Sequence, residues 1–234
     1  MAGLSRKELK KDKVAEVGGD IFEWTAEHKG EVLRYGALAI VVLIAAVGFN
    51  MYRSHAASSR EEALAQALKV DDATVGSNAQ AANLHYNTQE EKDKARSKAF
   101  GEVAKDPGTL EGAIAGFYLA GDAVDKGDLA QAEKRYKEIA DSAPAAFSSQ
   151  ARLSLARVYA AEGKMPEAQK EVQYLIDHPT ITVSKESATI TMAEILAKSN
   201  PAQARKLLEP LRTSRGPVSR SAITALSEVP AQGQ

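Results

Sequence analysis

Two stretches decide the fold: AIAGFYLAGDAVDKGDLAQAEKRYKEIADSAP, from Ala113 to Pro144, and SQARLSLARVYAAEGKMPEAQKEVQYLIDHP, from Ser149 to Pro179. Laid over each other at an offset of 36 residues, they agree at the positions that govern packing. Leu119 meets Leu155, Gly127 meets Gly163, Ala132 meets Ala168, Tyr136 meets Val172 and Ile139 meets Leu175. Each copy predicts a helix, a glycine turn and a second helix. The small residue falls where two helices cross closely, and larger residues in the next turns fill the layer between neighbouring copies. A lone pair of helices cannot bury its own apolar face, so copies stack. Pro107, Pro144 and Pro179 end the second helices, because proline lacks the amide hydrogen that would continue the ladder.

Outward from these copies the pattern fades but continues. A third copy starts near Lys185, with Ala204 and Leu208 in the equivalent places and Leu211 following. Asn200-Pro201 replaces the glycine turn there. Val218 to Val229 is expected as a capping helix over the last copy. Upstream, Phe100, Val103 and Pro107 look like the second helix, 89–105, of a degenerate first copy whose first helix is 55–69. The polar stretch DDATVGSNAQAANLHYNT, 71–88, predicts a long loop between them. The expected fold is all-α, a superhelix of about 3–4 helical hairpins plus a cap. Its divisions are 53–107 for the degenerate copy and 108–234 for the repeats and cap.

Further upstream, YGALAIVVLIAAVGFNMY runs for 18 residues from Tyr35 to Tyr52 without a charge, bracketed by Arg34 and Arg53. As a helix it is roughly 27 Å long, enough to cross a bilayer core. Tyr35 and Tyr52 suit the two interfaces, and the arginines can snorkel. A buried core helix is the first competing reading, but it would carry a polar face and this segment has none. A cleaved signal peptide is the second, with Ser54-His55-Ala56 as the processing site. Against it, 34 residues precede the apolar run and Arg53 crowds the site. The tail, 1–34, holds seven Lys/Arg, five of them clustered at Arg6, Lys7, Lys10, Lys11 and Lys13. That cluster predicts a cytoplasmic N-terminus and a single pass, with the repeats on the far side. In a double-membrane bacterium this means the inner membrane and the periplasm. Within the tail, Val14, Val17, Ile21, Trp24 and His28 recur at spacings of three and four. The two readings are a helical face for an interface or self-association seam, and a half-ordered tail weakened by Gly18-Gly19.

Composition removes several function classes. A net charge of −1 excludes a broad basic surface for nucleic acid. Aromatics at 6%, with apolar content drawn largely from Ala and Leu, favour helix over sheet. There is no cysteine, hence no disulfide, thiol nucleophile or Cys-ligated zinc. His28, His55, His85 and His178 lie in no metal-ligand spacing. Gly18-Gly19 has no strand before it and no lysine after it, and no GxSxG elbow occurs. The acidic pairs Glu61-Glu62, Asp71-Asp72 and Glu90-Glu91 belong to solvated faces. The expectation is a protein with no enzymatic activity, no cofactor and no metal.

The two best copies resemble tetratricopeptide repeats. The first carries Leu119-Ala120, Ala123, Gly127-Asp128, Ala132, Tyr136 and Pro144, and the second Leu155-Ala156, Tyr159, Gly163, Ala168, Val172 and Leu175. The aromatic residue usual near each repeat start is replaced by Gly116 and Arg152. The layout of tail, span and repeat array resembles the YfgM-like family, ancillary subunits of the bacterial SecYEG translocon. That resemblance implies a membrane-anchored periplasmic scaffold or chaperone-like binding protein in secretory-protein handover. The implied partners are the SecYEG translocon and a membrane-anchored peptidyl-prolyl isomerase. The alternative is an envelope scaffold, unrelated to secretion, that forms a homo-oligomer through its tail and span.

In repeats of this type the first helix of each hairpin lines a groove. That places Ile114, Phe117, Gly121 and Val124 on it from one copy, and Gln150, Leu153, Arg157 and Ala160 from the next. Glu186, Thr189, Ala193 and Leu196 follow. The lining is apolar with one arginine. It lacks the several lysines, arginines and asparagines that grip acidic chaperone C-termini, which removes that partner class. Arg157 beside Leu153 suits an extended chain bearing hydrophobic side chains and a carboxylate or backbone carbonyls. Packing between repeats competes for Phe117, and pairing with Asp122 or Asp125 competes for Arg157.

Overall fold

In the computed structural model, which describes residues 28–76, 84–214 and 216–230, the turn glycines set the hairpins. Gly127 and Gly163 take the left-handed conformation, with φ of +74° and +78°, where a β-carbon would be strained. Gly127 joins α3 (Leu110–Asp125) to α4 (Leu129–Ser142), and Gly163 joins α5 (Ala145–Ala161) to α6 (Met165–Asp177). A third hairpin, α7 (Lys185–Leu196) and α8 (Pro201–Arg212), turns through Asn200. The Asn200 side chain accepts the amide hydrogen of Gln203 at 3.2 Å, so an N-cap replaces the glycine. The helix α9 (Pro217–Glu228) packs on both α7 and α8 and closes the array.

The chain divides into two units, Met1–Ser58 and Ser59–Gln234. The helix α1 (Lys29–Asp71) begins in the first and ends in the second. It is one continuous helix of 43 residues where the sequence predicts a span at 35–52 and a separate helix at 55–69. No glycine or proline lies between Phe49 and Asp71 to interrupt it. Its apolar stretch is long and apolar enough to cross a membrane and contains no buried residue. In the second unit Leu64, Ala67 and Leu68 of α1 pack with Phe100 of α2 (Gln89–Val103) and with Ala115 and Leu119 of α3.

The expected loop 71–88 holds a short parallel pairing of β1 (Thr74–Val75) with β2 (His85–Tyr86). The Thr74 amide donates to the Leu84 carbonyl and that of Gly76 to Tyr86. The pairing gives backbone groups of these residues their hydrogen-bond partners. The tail pattern from Val14 to Trp24 lies outside the described residues.

The repeat register is visible in burial. Ala132, Ala168 and Ala204 are each 0% exposed, as are Val172 and Leu208. Tyr136, Ile139 and Leu175 are also buried, and burial pushes the Tyr136 phenol pKa up. The two departures from the repeat pattern have distinct causes. At Gly116 an added β-carbon would stand 3.0 Å from Ile139 Cδ1, so the second helix's isoleucine fills the space of the usual aromatic. At the other site Arg152 reaches across α6 instead. Its guanidinium lies 4.7 Å from the Tyr174 ring centroid and donates to Glu171 at 2.8 Å.

Charged side chains tie neighbouring hairpins. Arg96 of α2 pairs with Asp71 at the end of α1 and with Asp122 of α3, which together hold its pKa well above the ordinary value. It also lies over Phe100 and Tyr118, whose rings stack at 4.5 Å. Lys164, just past the Gly163 turn, donates to Glu133 of α4 at 2.6 Å and holds that carboxyl below its usual range.

Two substitutions test this packing. Ala168→Leu forces a large side chain into a helix crossing, and Gly112→Ala places a β-carbon 1.9 Å from the Asp106 carbonyl oxygen. Each should lower unfolding stability by about 1–3 kcal/mol in urea denaturation while the m-value holds. Arg96→Met keeps the apolar stem but leaves Asp71 and Asp122 without their cation. It should cost about 1.5–3 kcal/mol by the same measurement.

Candidate functional site

The helix α3 is buried along one side through Ala113, Ala120 and Ala123, which pack on α4 and α5. The stripe Ile114, Phe117, Gly121 and Val124 lies on the other side, half-buried or exposed. From α5, Gln150 and Arg157 are exposed toward solvent. These residues line three hollows.

The first hollow holds Ile114, Phe117 and Tyr118 of α3, Ala146, Phe147 and Gln150 of α5, and Thr182 of the loop before α7. Its volume is about 270 Å³, and its walls are almost wholly apolar. Phe117 meets Tyr136 edge-on at 5.7 Å and Phe147 at 6.3 Å. It therefore both packs between repeats and lines the hollow. The loop wall is pinned by hydroxyls. Thr182 donates to the Ala146 carbonyl at 2.9 Å, and the buried Ser149 hydroxyl stands within 3.0 Å of those of Thr180 and Thr182. This leaves Ile181 turned outward, 98% exposed. The Gln150 amide makes no hydrogen bond among the described residues and stands free at the rim.

The second hollow shares Phe117 and Tyr118 with the first and continues to Arg96, Gly121, Asp122 and Asp125. A third, about 190 Å³, lies between Val124, Leu129, Tyr136, Ser154, Arg157, Val158 and Ala161. Arg157 is 57% exposed and pairs with Glu194 of α7 at 3.6 Å, with the Thr191 hydroxyl at 3.4 Å. The preceding-copy carboxylates, which the sequence offered as its partners, do not hold it. Asp122 is taken by Arg96, and Asp125 has no ion pair or hydrogen bond among the described residues.

Five of the eight proposed groove residues, Ile114, Phe117, Val124, Gln150 and Arg157, thus line these three hollows. The other three do not. Leu153 is 5% exposed and belongs to the core with α6 and α7. It stands roughly 60° round the helix from Gln150, enough to turn it inward. Leu196 is equally buried and lines a separate hollow with Ile176 of α6 and Leu207 of α8. Thr189 is half-buried and its hydroxyl donates to the Lys185 carbonyl at 2.8 Å within its own helix.

Phe147, Tyr118 and Thr182 are lining residues that the repeat alignment does not yield. Phe147 falls before the aligned copy because α5 starts four residues earlier, at Ala145. Tyr118 is set by its stack on Phe100, a contact between copies too dissimilar to align. Thr182 comes from a loop, where helical spacing carries no signal. Among the described residues this face offers apolar hollows, a free amide and separated charges, an arrangement with room for a chain.

The family profile for the tetratricopeptide repeat-like domain matches residues 24–179, two thirds of the chain. The match starts ahead of the apolar stretch of α1 and ends at Pro179, before α7, while the hairpin pattern continues through α8. No curated protein and no solved structure matches the chain. With the helical hairpins, turn glycines and buried alanines already in place, the chain belongs to the tetratricopeptide repeat-like domain family.

Proposed function

We propose that this protein is a membrane-anchored periplasmic scaffold of the protein-export machinery, which holds extended segments of secretory chains on the face of α3 and α5. A tetratricopeptide repeat-like domain is a protein–protein interaction scaffold, and that much follows from the family. The finer reading is supported chiefly by one observation. An apolar hollow with a free amide at its rim sits in a repeat domain whose chain also carries a membrane-length apolar helix. An emerging secretory chain is extended, apolar in patches and close to the membrane, and it offers backbone groups to an amide such as Gln150. The layout resembles that of the YfgM-like subunits, which supports SecYEG and a membrane-anchored peptidyl-prolyl isomerase as neighbours. In this reading residues 1–34 are cytoplasmic, 35–52 cross the inner membrane, and 53–234 are periplasmic. The groups on the face support binding rather than catalysis.

Two measurements test the reading. Protease added to sealed spheroplasts should digest the repeat domain and leave a protected N-terminal fragment; a protected repeat domain reverses the orientation. A photo-reactive amino acid in place of Gln150, activated in growing cells, should crosslink to translocon subunits or nascent secretory chains. Crosslinks confined to copies of the same chain would replace export with self-association.

A further inference from the structure

We infer that the α3–α5 face selects extended polypeptide segments in which a large apolar side chain is followed or preceded, a few residues away, by a lysine or arginine, with Asp125 receiving the cation. This deepens the reading just given and rests on it. The first hollow is about 270 Å³, below the roughly 300–1,000 Å³ of typical small-molecule sites and suited to one large side chain. It shares the walls Phe117 and Tyr118 with the second hollow, which places the carboxylates of α3 within reach of a chain seated in the first.

The charges there are not equivalent. Asp122 and Asp71 are both satisfied by Arg96. Arg157, the cation beside the third hollow, faces Glu194. Asp125 alone of the two carboxylates in the second hollow is exposed and lacks an ion pair or hydrogen bond among the described residues. It is the last residue of α3, at the negative end of that helix's dipole. Lys126, the next residue, is turned about 100° round the helix. Position, exposure and dipole together make this end of the face a receptor for a cation.

The spacing follows from helix and strand geometry. Phe117 and Asp125 are eight residues apart, about 12 Å along the helix axis. An extended chain covers that in about four residues, and the length of a lysine side chain shortens the requirement to two to four.

The test uses the full chain in lipid nanodiscs and fluorescent 12-residue peptides of Ser and Gly. Each peptide carries one Leu and, three residues away in either order, Lys, Gln or Glu. Fluorescence anisotropy should rank Lys above Gln above Glu, with about five- to tenfold between the extremes at low salt and less at high salt. Asp125→Lys should invert the ranking with little change in melting temperature, since the side chain is exposed and makes no ion pair or hydrogen bond among the described residues. Asp125→Asn should abolish the charge preference while keeping the leucine requirement. Phe117→Asp, if still folded by circular dichroism, should lose all the peptides. Equal affinity for Lys, Gln and Glu peptides, still lost in Phe117→Asp, overturns the inference and leaves the face as a binding site. Failure of every leucine peptide to bind the wild-type chain overturns both.

Discussion

Each hairpin places a fully buried alanine of its second helix at the contact between its paired helices. Ala132, Ala168 and Ala204 stand at equivalent crossings, all without solvent exposure, and Ala120 and Ala156 of the facing helices are equally buried. Close approach at that point brings Ile139, Leu175 and Leu208 into the layer shared with the next hairpin. Burial of each such side chain is worth about 1.5–3 kcal/mol. A single hairpin in isolation supplies only part of it, as where Ile139 packs at Gly116, and stacking supplies the rest.

The array in turn decides where a partner has room. Second helices bury one apolar stripe and expose the rest, whereas the first helix α3 is buried over more of its circumference and keeps the Ile114–Val124 side open. At α7, Leu196 and Ala193 join the core, and the hollows beside the α3 stripe are walled largely by α3 and α5. The hydroxyl cluster of Ser149, Thr180 and Thr182 then seats a loop against the start of α5 and gives that face an end wall. Arg96 fixes the opposite end by joining α1, α2 and α3 through two carboxylates.

The repeat register, the turn glycines and the capping helix were legible because they depend on residue size and backbone freedom, which a sequence displays directly. The aromatic stack of Phe100 on Tyr118 was not, since it joins copies that share too little to align. Continuity of α1 was hidden for another reason: apolarity changes sharply at Arg53 while helix propensity does not. Within the site, spacing groups the α3 stripe, and the structure buries Leu153 and Leu196. A first helix in a stack has a buried flank as well as an open one, and the neighbour that buries it lies far along the chain. Arg157 shows the same limit, for its carboxylate, Glu194, comes from the following hairpin rather than the preceding one.

The central claim is that an extended apolar segment binds on the α3–α5 face and not elsewhere on the array. Two isoleucines report on it, Ile114 in the first hollow and Ile223, 51% exposed, on the outer side of α9. The direct measurement is methyl NMR of the isoleucine-labelled full chain titrated with a leucine-bearing polypeptide segment. The account predicts a saturable shift of the Ile114 methyl signal with Ile223 unmoved. A shift at Ile223 with Ile114 unmoved would contradict it.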